Sequence, residues 1–312
     1  MRILVAGSNG QVGWEVVRLC PPAWTVHATD RTQLDISDPA SIPRVVRELR
    51  PQVIVNATGY TTVDRAESEP AVARLINAEA VAVLAAEARA CGATLVHYST
   101  DYVFSGRKTT PYSPGDAPDP QSVYGATKLE GERAIIDSGA SYVILRTQWV
   151  YGLRGRNFVL AILRQAALRP ELRIVSDQTG APTWARSIAR ATIGILSRGV
   201  PGHEGVYHLA CAGSTTWFDF ARAVFDEAAT NIPGLTVPRI LPVSSAEYGA
   251  TAVRPAHAVL DCSATELTFG VTMPHWRDAL REAMTDRAML LAAIGAQPSM
   301  AAAASTAQTT VK

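Results

Sequence analysis

Cysteine is scarce in this chain, and so is any imbalance of charge. Four cysteines (Cys20, Cys91, Cys211 and Cys262) are scattered over 312 residues with no CxxC pair. That spacing argues against a disulfide framework or a zinc site and fits reduced thiols in the cytoplasm. Twenty-nine Lys and Arg offset 28 Asp and Glu, leaving a formal charge of +1. No basic surplus invites nucleic acid or an anionic membrane surface. Long apolar runs are missing as well. Ile3 to Ala6 ends at Gly7, too short for a secretory segment, and no cleavage-site pattern follows. The longest uncharged stretch, Ala288 to Val311, is interrupted by Gly295 and Pro298, whereas a bilayer-spanning helix needs roughly 20 predominantly apolar residues. Residues 288–312 read as a low-complexity, mobile tail. A soluble cytoplasmic protein with no nucleic-acid or membrane partner is expected.

What the chain does have is core material. Hydrophobic residues make up 47% and charged residues 18%, which excludes a disordered chain. Its length suggests one large or two moderate domains at about 150 residues each. In the first half, Ile3 to Ala6, Thr25 to Thr29, Val53 to Asn56, Thr94 to Ser99 and Tyr142 to Arg146 read as strands. Gln11 to Cys20, Ser41 to Arg50, Pro70 to Cys91 and Ser122 to Ser138 between them read as helices. Strands that are apolar throughout, alternating with helices, predict an α/β fold with a doubly wound parallel sheet over residues 1–150. Further on, Asn157 to Leu168, Pro182 to Arg198, Trp217 to Thr230 and Trp276 to Leu291 look helical. Residues 151–287 are expected to form mainly a smaller α/β lobe that binds substrate, with the chain returning to the sheet near 183–212.

Gly7-Ser8-Asn9-Gly10-Gln11-Val12-Gly13 falls between the first strand and the first helix. Glycines there allow a tight turn and a close backbone approach to a pyrophosphate, and the helix start offers free N–H groups. Asp30 closes the second strand, where an acid would bind the adenosine ribose hydroxyls. Arg31 follows at once and suits a 2′-phosphate, so NADH and NADPH both stay open. Asp35 and Ile36 offer a polar and an apolar contact to the adenine.

Tyr124 and Lys128 stand four residues apart, on one face of a helix. A nearby ammonium lowers the pKa of a phenol, which would tune Tyr124 to protonate a carbonyl oxygen. Thr100 ends a strand at the carboxyl edge of the sheet, where open α/β folds place ligands. Neighbouring His97 reads as a packed strand residue.

These residues, with Asn56 to Glu67 (NATGYTTVDRAE), Ser99 to Phe104 (STDYVF), Tyr124 to Glu132 (YGATKLEGE), Arg146 to Gly152 (RTQWVYG), Asp177 to Thr183 (DQTGAPT) and Thr215 to Ala221 (TTWFDFA), resemble the extended short-chain dehydrogenase/reductase family. Within it they are similar to the branch that reduces the C4 ketone of dTDP-linked 4-dehydro-6-deoxy sugars. The resemblance spans about Met1 to Leu280 and implies a Rossmann-type fold, NADPH or NADH as cofactor, and a nucleotide-sugar substrate. It implies that Gly10, Gln11 and Val12 line the pyrophosphate, that Asp30, Asp35 and Ile36 hold the adenosine, and that Gly59, Tyr60, Thr61 and Tyr98 line the rest of the dinucleotide. Tyr124 would be the proton donor. Lys128 would bind the nicotinamide ribose and tune the tyrosine. Thr100, Asp101 and Trp149 would touch the sugar, while Gln178 and Arg254 would meet the nucleotide part of the substrate.

The chain departs from that pattern twice. Arg254-Pro255-Ala256-His257-Ala258-Val259 replaces an Arg-Pro followed by an Asn-Ser-Arg-like string. Some members bind Mg²⁺ at a dimer contact through a glutamate matching Glu15 and acids after the Gly-Ala-Pro-Thr string. Here Trp184-Ala185-Arg186-Ser187 places a cation there, so no metal is expected and Glu15 reads as a solvated helix residue. A homodimer remains compatible. So do two other functions: a cofactor-recycling epimerase or dehydratase with Asp101 as its base, and a non-catalytic subunit resembling the regulatory subunit of methionine adenosyltransferase.

Overall fold

The computed structural model describes residues 1–232 and 234–295. Its first part runs β1 (Arg2–Ala6), α1 (Gln11–Leu19), β2 (Thr25–Thr29), α2 (Ser41–Leu49), β3 (Val53–Asn56), α3 (Val63–Ser68), α4 (Pro70–Arg74), α5 (Ala80–Cys91), β4 (Thr94–Thr100), α6 (Val123–Ser138) and β5 (Ser141–Thr147). Then follow β6 (Val150–Tyr151), α7 (Phe158–Ala166), β7 (Glu171–Val175), β8 (Thr179–Gly180), β9 (Thr183–Trp184), α8 (Ala185–Arg198) and β10 (Gly205–His208). The last elements are β11 (Thr215–Thr216), α9 (Trp217–Asn231), β12 (Arg239–Val243), α10 (Ser245–Tyr248), α11 (Ser263–Phe269), α12 (Trp276–Thr285) and α13 (Arg287–Gly295).

Among the described residues, six strands form one sheet in the order β10-β5-β4-β3-β1-β2, and every pairing in it is parallel. The strands are apolar throughout because helices cover both faces. Ile3, Val5, Val53, Val55 and Val96 point into one core with α1 and α8. Leu4, Ile54 and Leu95, one residue out of phase, point into the other with α2 and α5, as the two-residue period of a strand requires. The chain leaves β1 for β2 on one side and crosses to β3 on the other, which opens a crevice at the carboxyl ends of these strands. After its first excursion the chain comes back, packing α8 on α1 and adding β10 beside β5.

Beside the carboxyl edge of the sheet, β7 pairs in parallel with β12 under α7 and α9, which bury Val159, Leu163, Phe220 and Val224. Pro242 sits inside β12, on a two-stranded edge where a missing N–H is tolerated.

Three helical readings need correction. The long helix from Pro70 to Cys91 contains a π-helical turn at Leu75–Glu79, which periodicity alone does not reveal. The closing helix breaks at Asp286, whose ψ of 66° is not helical. Residues 288–295 of the expected tail are helical: α13 buries Leu290, and the Arg164 guanidinium donates to the Ala293 carbonyl at 2.7 and 3.1 Å. The remainder of the expected tail, 296–312, lies outside the described residues.

A buried ion pair ties α6 to the sheet. Arg146 of β5 donates to both oxygens of Glu132 at 2.7 and 2.9 Å, with side chains only 4% and 1% exposed. The Ser99 hydroxyl of β4 also donates to Glu132. Removing one partner strands a buried charge, which costs more than the pair contributes as a whole. Arg146→Met is therefore expected to lower the unfolding free energy by about 3–5 kcal/mol, measured by urea denaturation. Replacing Arg146 and Glu132 together by Met and Leu should recover much of that loss.

Candidate active site

The turn from β1 into α1 is shaped by its glycines. Gly7 has φ +83°, and a Cβ there would stand 2.9 Å from the Ala57 carbonyl oxygen. A Cβ on Gly13 would overlap the Gly7 carbonyl oxygen, so only glycine lets α1 start this close to β1. The Gly10 N-cap position carries no side-chain cap among the described residues, which leaves the first N–H groups of α1 for an anion. The turn opens on a cleft of about 680 Å³ lined by Gly10, Gln11, Val12, Asp30, Arg31, Asp35, Ile36, Gly59 and Thr61, within the usual size of a ligand site. Asp30 is oriented by Thr32 N–H and hydroxyl at 2.9 and 2.6 Å and by Asn9 at 3.1 Å. These bonds, led by the Thr32 hydroxyl, lower its pKa, so it accepts without being protonated. Arg31 reaches Asp35 at 3.2 Å and Ser37 at 3.2 Å from a largely exposed position. The contacts fit a dinucleotide: glycine cradle for pyrophosphate, acid for ribose, Ile36 for adenine.

The far end of the same cleft is lined by Thr100, Asp101, Tyr124, Lys128, Thr147, Gln148 and Trp149. Thr100 ends β4 and donates to Asp101 Oδ1 at 3.0 Å. Ser122 caps α6 by accepting from Gly125 N–H at 3.2 Å. This sets Tyr124 in the first turn, edge-on to Tyr102 with ring centroids 5.3 Å apart. Burial acts on all three titratable groups in the same sense, against charge. It raises Tyr124 to about 12, an effect that the Thr100 hydroxyl partly offsets. It lifts Asp101 to about 7 and brings Lys128 down to about 8.

That result corrects the expected tuning. Lys128 does not lower the Tyr124 pKa: its amine is bonded to the Tyr98 carbonyl at 2.6 Å and lies 3.0 Å from His97 Nε2. His97 is a packed strand residue, as expected, but one that touches the lysine. Tyr60 turns out of the cleft, donating its hydroxyl to Glu69 at 2.6 Å. Tyr98 lines the cleft with its hydroxyl paired to Thr192 at 2.8 Å.

Trp149 has φ +44°, a left-handed backbone that a bulky residue rarely adopts without a functional reason. Its indole stacks on Trp217 with centroids 3.7 Å apart and lies over Gly180, where a Cβ would come within 2.6 Å of the ring. The pair divides the cleft from a second cavity of about 910 Å³, which Trp217, Gln178 and Arg254 line. Gln178 and Arg254 thus face this second cavity and not the reacting end. Arg254 is held there by Asp64, with which it pairs at 2.8 and 3.1 Å. Glu15 is not solvated. It is buried, and Arg186 and Arg18 reach it at 3.1 and 3.2 Å.

Sequence reasoning missed Asn77. The π turn aims its side chain at the Gly59 loop, accepting from Tyr60 N–H at 2.8 Å and donating to the Thr127 hydroxyl of α6 at 3.2 Å. It also missed Thr147 and Gln148, which, with Asp101 Oδ2, leave buried polar atoms unpartnered among the described residues. An Asn in an alanine-rich helix and a Gln after an apolar strand are the signals that were available.

A glycine-cradled dinucleotide cleft that ends on a threonine, a tyrosine and a lysine defines the class of Rossmann-type nicotinamide-dependent reductases. The family model described as the RmlD substrate binding domain matches residues 1–289, and the chain belongs to that family. A dTDP-4-dehydrorhamnose reductase of Burkholderia thailandensis is 44% identical over 289 residues, covering 90% of this chain and 97% of its own. The dTDP-4-dehydrorhamnose reductase of Bacillus anthracis, solved with NADP, superposes with a TM-score of 0.85 at 34% identity, covering 90% of this chain and 98% of its own. A UDP-glucose 4-epimerase from Thermus thermophilus, solved with NAD, has a TM-score of 0.75 at 20% identity, covering 92% of this chain and 99% of its own, a likeness of fold alone.

The raised Asp101 carboxyl gives a stability prediction. Its folded pKa of about 7 lies above its ordinary value of 3.8, so the folded state holds an extra proton between those values. The stabilisation is complete below the lower value and is lost as pH rises through the upper one. Asp101→Asn should match the native stability near pH 4 and exceed it near pH 8 by on the order of 4 kcal/mol, as read by unfolding curves at each pH.

Proposed function

We propose that this protein is an NADPH- or NADH-dependent reductase that converts dTDP-4-dehydro-6-deoxy-L-mannose (dTDP-4-dehydrorhamnose) to dTDP-L-rhamnose by reducing its C4 ketone. The observation that carries this reading is the meeting of Thr100, Tyr124 and Trp149 at the end of the dinucleotide cleft. The bound reduced nicotinamide supplies the hydride. Tyr124, held protonated by burial, gives its proton to the ketone oxygen as charge develops there, and Thr100 shares that hydrogen bond. The unpartnered Asp101 Oδ2, Thr147 Oγ1 and Gln148 Nε2 are left for sugar hydroxyls, because a buried polar atom without a partner is costly. Trp149 covers the apolar face of the sugar. Gln178 and Arg254 in the adjoining cavity meet the nucleotide, whose diphosphate suits the planar donor fork of an arginine.

Among the described residues no helix is long and apolar enough to cross a membrane. A cytoplasmic location follows from the same reading, since its cofactor and activated sugar are cytoplasmic metabolites. A homodimer comes from the family resemblance alone, and sedimentation velocity on the full chain tests it.

Tyr124→Phe should lower kcat about 10²–10⁴-fold with little change in the Kd for NADPH. The assay follows nicotinamide absorbance with the dTDP-linked 4-keto sugar, and a near-native rate would remove Tyr124 from the mechanism. Stoichiometric loss of NADPH separates this reading from a recycling epimerase, which consumes none. Turnover with the purified chain alone separates it from a regulatory subunit.

A further inference from the structure

Residues 152–157 (Gly-Leu-Arg-Gly-Arg-Asn), which join β6 to α7, lie against the turn between β1 and α1. The direction of two amides fixes how they are held. Asn157 caps α7, its Oδ1 accepting from Leu160 N–H at 3.1 Å. Its NH₂ group is thereby turned the other way and donates to the Gly152 carbonyl at 2.8 Å and to Gln11 Oε1 at 2.9 Å. Gln11, the first residue of α1, must then aim its own NH₂ group at this segment, where the Arg156 carbonyl lies 3.5 Å away. Both ends of the Gln11 amide are spent on the segment, so what Gln11 has left for an anion is its backbone N–H. The approach is close because Gly155 has φ +73°, and a Cβ there would stand 3.4 Å from Gln11 Cγ. Arg154 ties the same segment to the turn. Its Nε donates to the Asn9 carbonyl at 3.4 Å, and its guanidinium lies 5.5 Å over the Trp14 ring.

Arg156 is the residue this arrangement leaves over. It lines the dinucleotide cleft together with Gly10, Gln11 and Val12. Among the described residues its guanidinium pairs with no carboxylate and donates to no carbonyl; only its own carbonyl is used, by Gln11. The other cations that line the cleft are engaged, Arg31 with Asp35 and Lys128 with the Tyr98 carbonyl. Hydrogen bonds keep Asp30 and Asp35 ionised, so with Arg31 alone that end of the cleft carries a net negative charge, which opposes a phosphate. We propose that residues 152–157 are a clamp on the pyrophosphate of the dinucleotide, latched to α1 by Gln11 and Asn157, with the Arg156 guanidinium supplying the charge that neutralises it. A guanidinium presents a planar fork of donors that matches phosphate oxygens. Because the backbone of the clamp is already fixed to α1, binding has to order little more than one side chain.

The clamp deepens the cofactor half of the reading above. Binding is measured without a sugar substrate, so a failed turnover and a failed clamp are told apart. Titrating the full chain with NADPH and with NADH, followed by cofactor fluorescence, should show Arg156→Ala raising both Kd values by the same factor, about tenfold. Arg156→Lys should recover part of that loss, and the Kd for dTDP should not move. A loss confined to NADPH would put the guanidinium on a 2′-phosphate, and a loss shared with dTDP would put it on the diphosphate of the substrate. A change of less than about twofold would leave it in solvent. Each of these outcomes overturns the clamp. Gln11→Ala keeps the N–H of α1 and removes the latch. It should weaken both cofactors, combine with Arg156→Ala to less than the product of the two single losses, and speed tryptic cleavage selectively after Arg154 and Arg156. Multiplicative losses, or cleavage at the native rate, would overturn Gln11 as the latch.

Discussion

The site depends on one helix being held at one height above the sheet. Tyr124, Lys128 and Glu132 recur every four residues along α6, so a single face of that helix carries the acid, the amine and the anchor. The anchor is fixed by Arg146 and Ser99, which come from the neighbouring strands β5 and β4. The pair is worth little as a source of net stability, because two charges were taken from water to make it. What it supplies is register. A slip of α6 along β4 would leave Glu132 buried without its guanidinium, so the alternative positions of Tyr124 are far higher in energy than the native one. Asn77 adds a second restraint on the same helix by tying Thr127 to the Gly59 loop. The helix that carries Tyr124 and the loop at Gly59 are thus set against each other by one amide.

Within this frame burial has one consequence for every ionisable group: it favours the neutral form. Tyr124 and Asp101 are pushed up and Lys128 is pushed down. A site of neutral donors suits reduction of a ketone, where negative charge appears on oxygen only as the hydride arrives. Donors already aimed at that oxygen stabilise the transition state more than the ground state, and that difference is what accelerates the reaction. A phenol with a raised pKa is a weaker acid in the resting site. It becomes a competent one as the ketone oxygen grows basic, because the proton then moves between partners of closer affinity.

Much of this was legible in the sequence because its signals are local. Gly7 to Gly13 between a strand and a helix, Tyr124 four residues before Lys128, and the all-apolar runs of β1, β3 and β4 each report on neighbours a few positions away. What was not legible joins distant parts of the chain. Glu15 looked solvated because its partner Arg186 is 171 residues away, and the pairing of Arg254 with Asp64, 190 residues away, left no local trace. The π turn at Leu75–Glu79 escaped for another reason. One extra residue in a helical turn leaves the alanine-rich pattern unbroken, and the close approach of Gly131 to the Asn77 carbonyl is visible only in three dimensions. The effect of Lys128 on Tyr124 was read from spacing alone, and spacing does not say which way the amine turns.

Trp149 shows how distant contacts define the substrate end. A left-handed backbone costs a bulky residue on the order of 1–3 kcal/mol, and nothing in the RTQWVYG string itself offsets that. The offset comes from the smaller lobe. Trp217 at the start of α9 provides a stacking partner, and Gly180 of β8 leaves the space for the indole. Because β8 pairs with β11 immediately before α9, the glycine and the stacking tryptophan are fixed to each other before either meets Trp149. The lobe therefore sets the angle of the indole at the wall between the two cavities. That wall is set by β8 and α9, whereas Thr100 and Tyr124 stand on β4 and α6. Under the proposed function, chemistry is thereby built on the sheet and its covering helix, and substrate fit on the wall that Trp149, Trp217 and Gly180 make together.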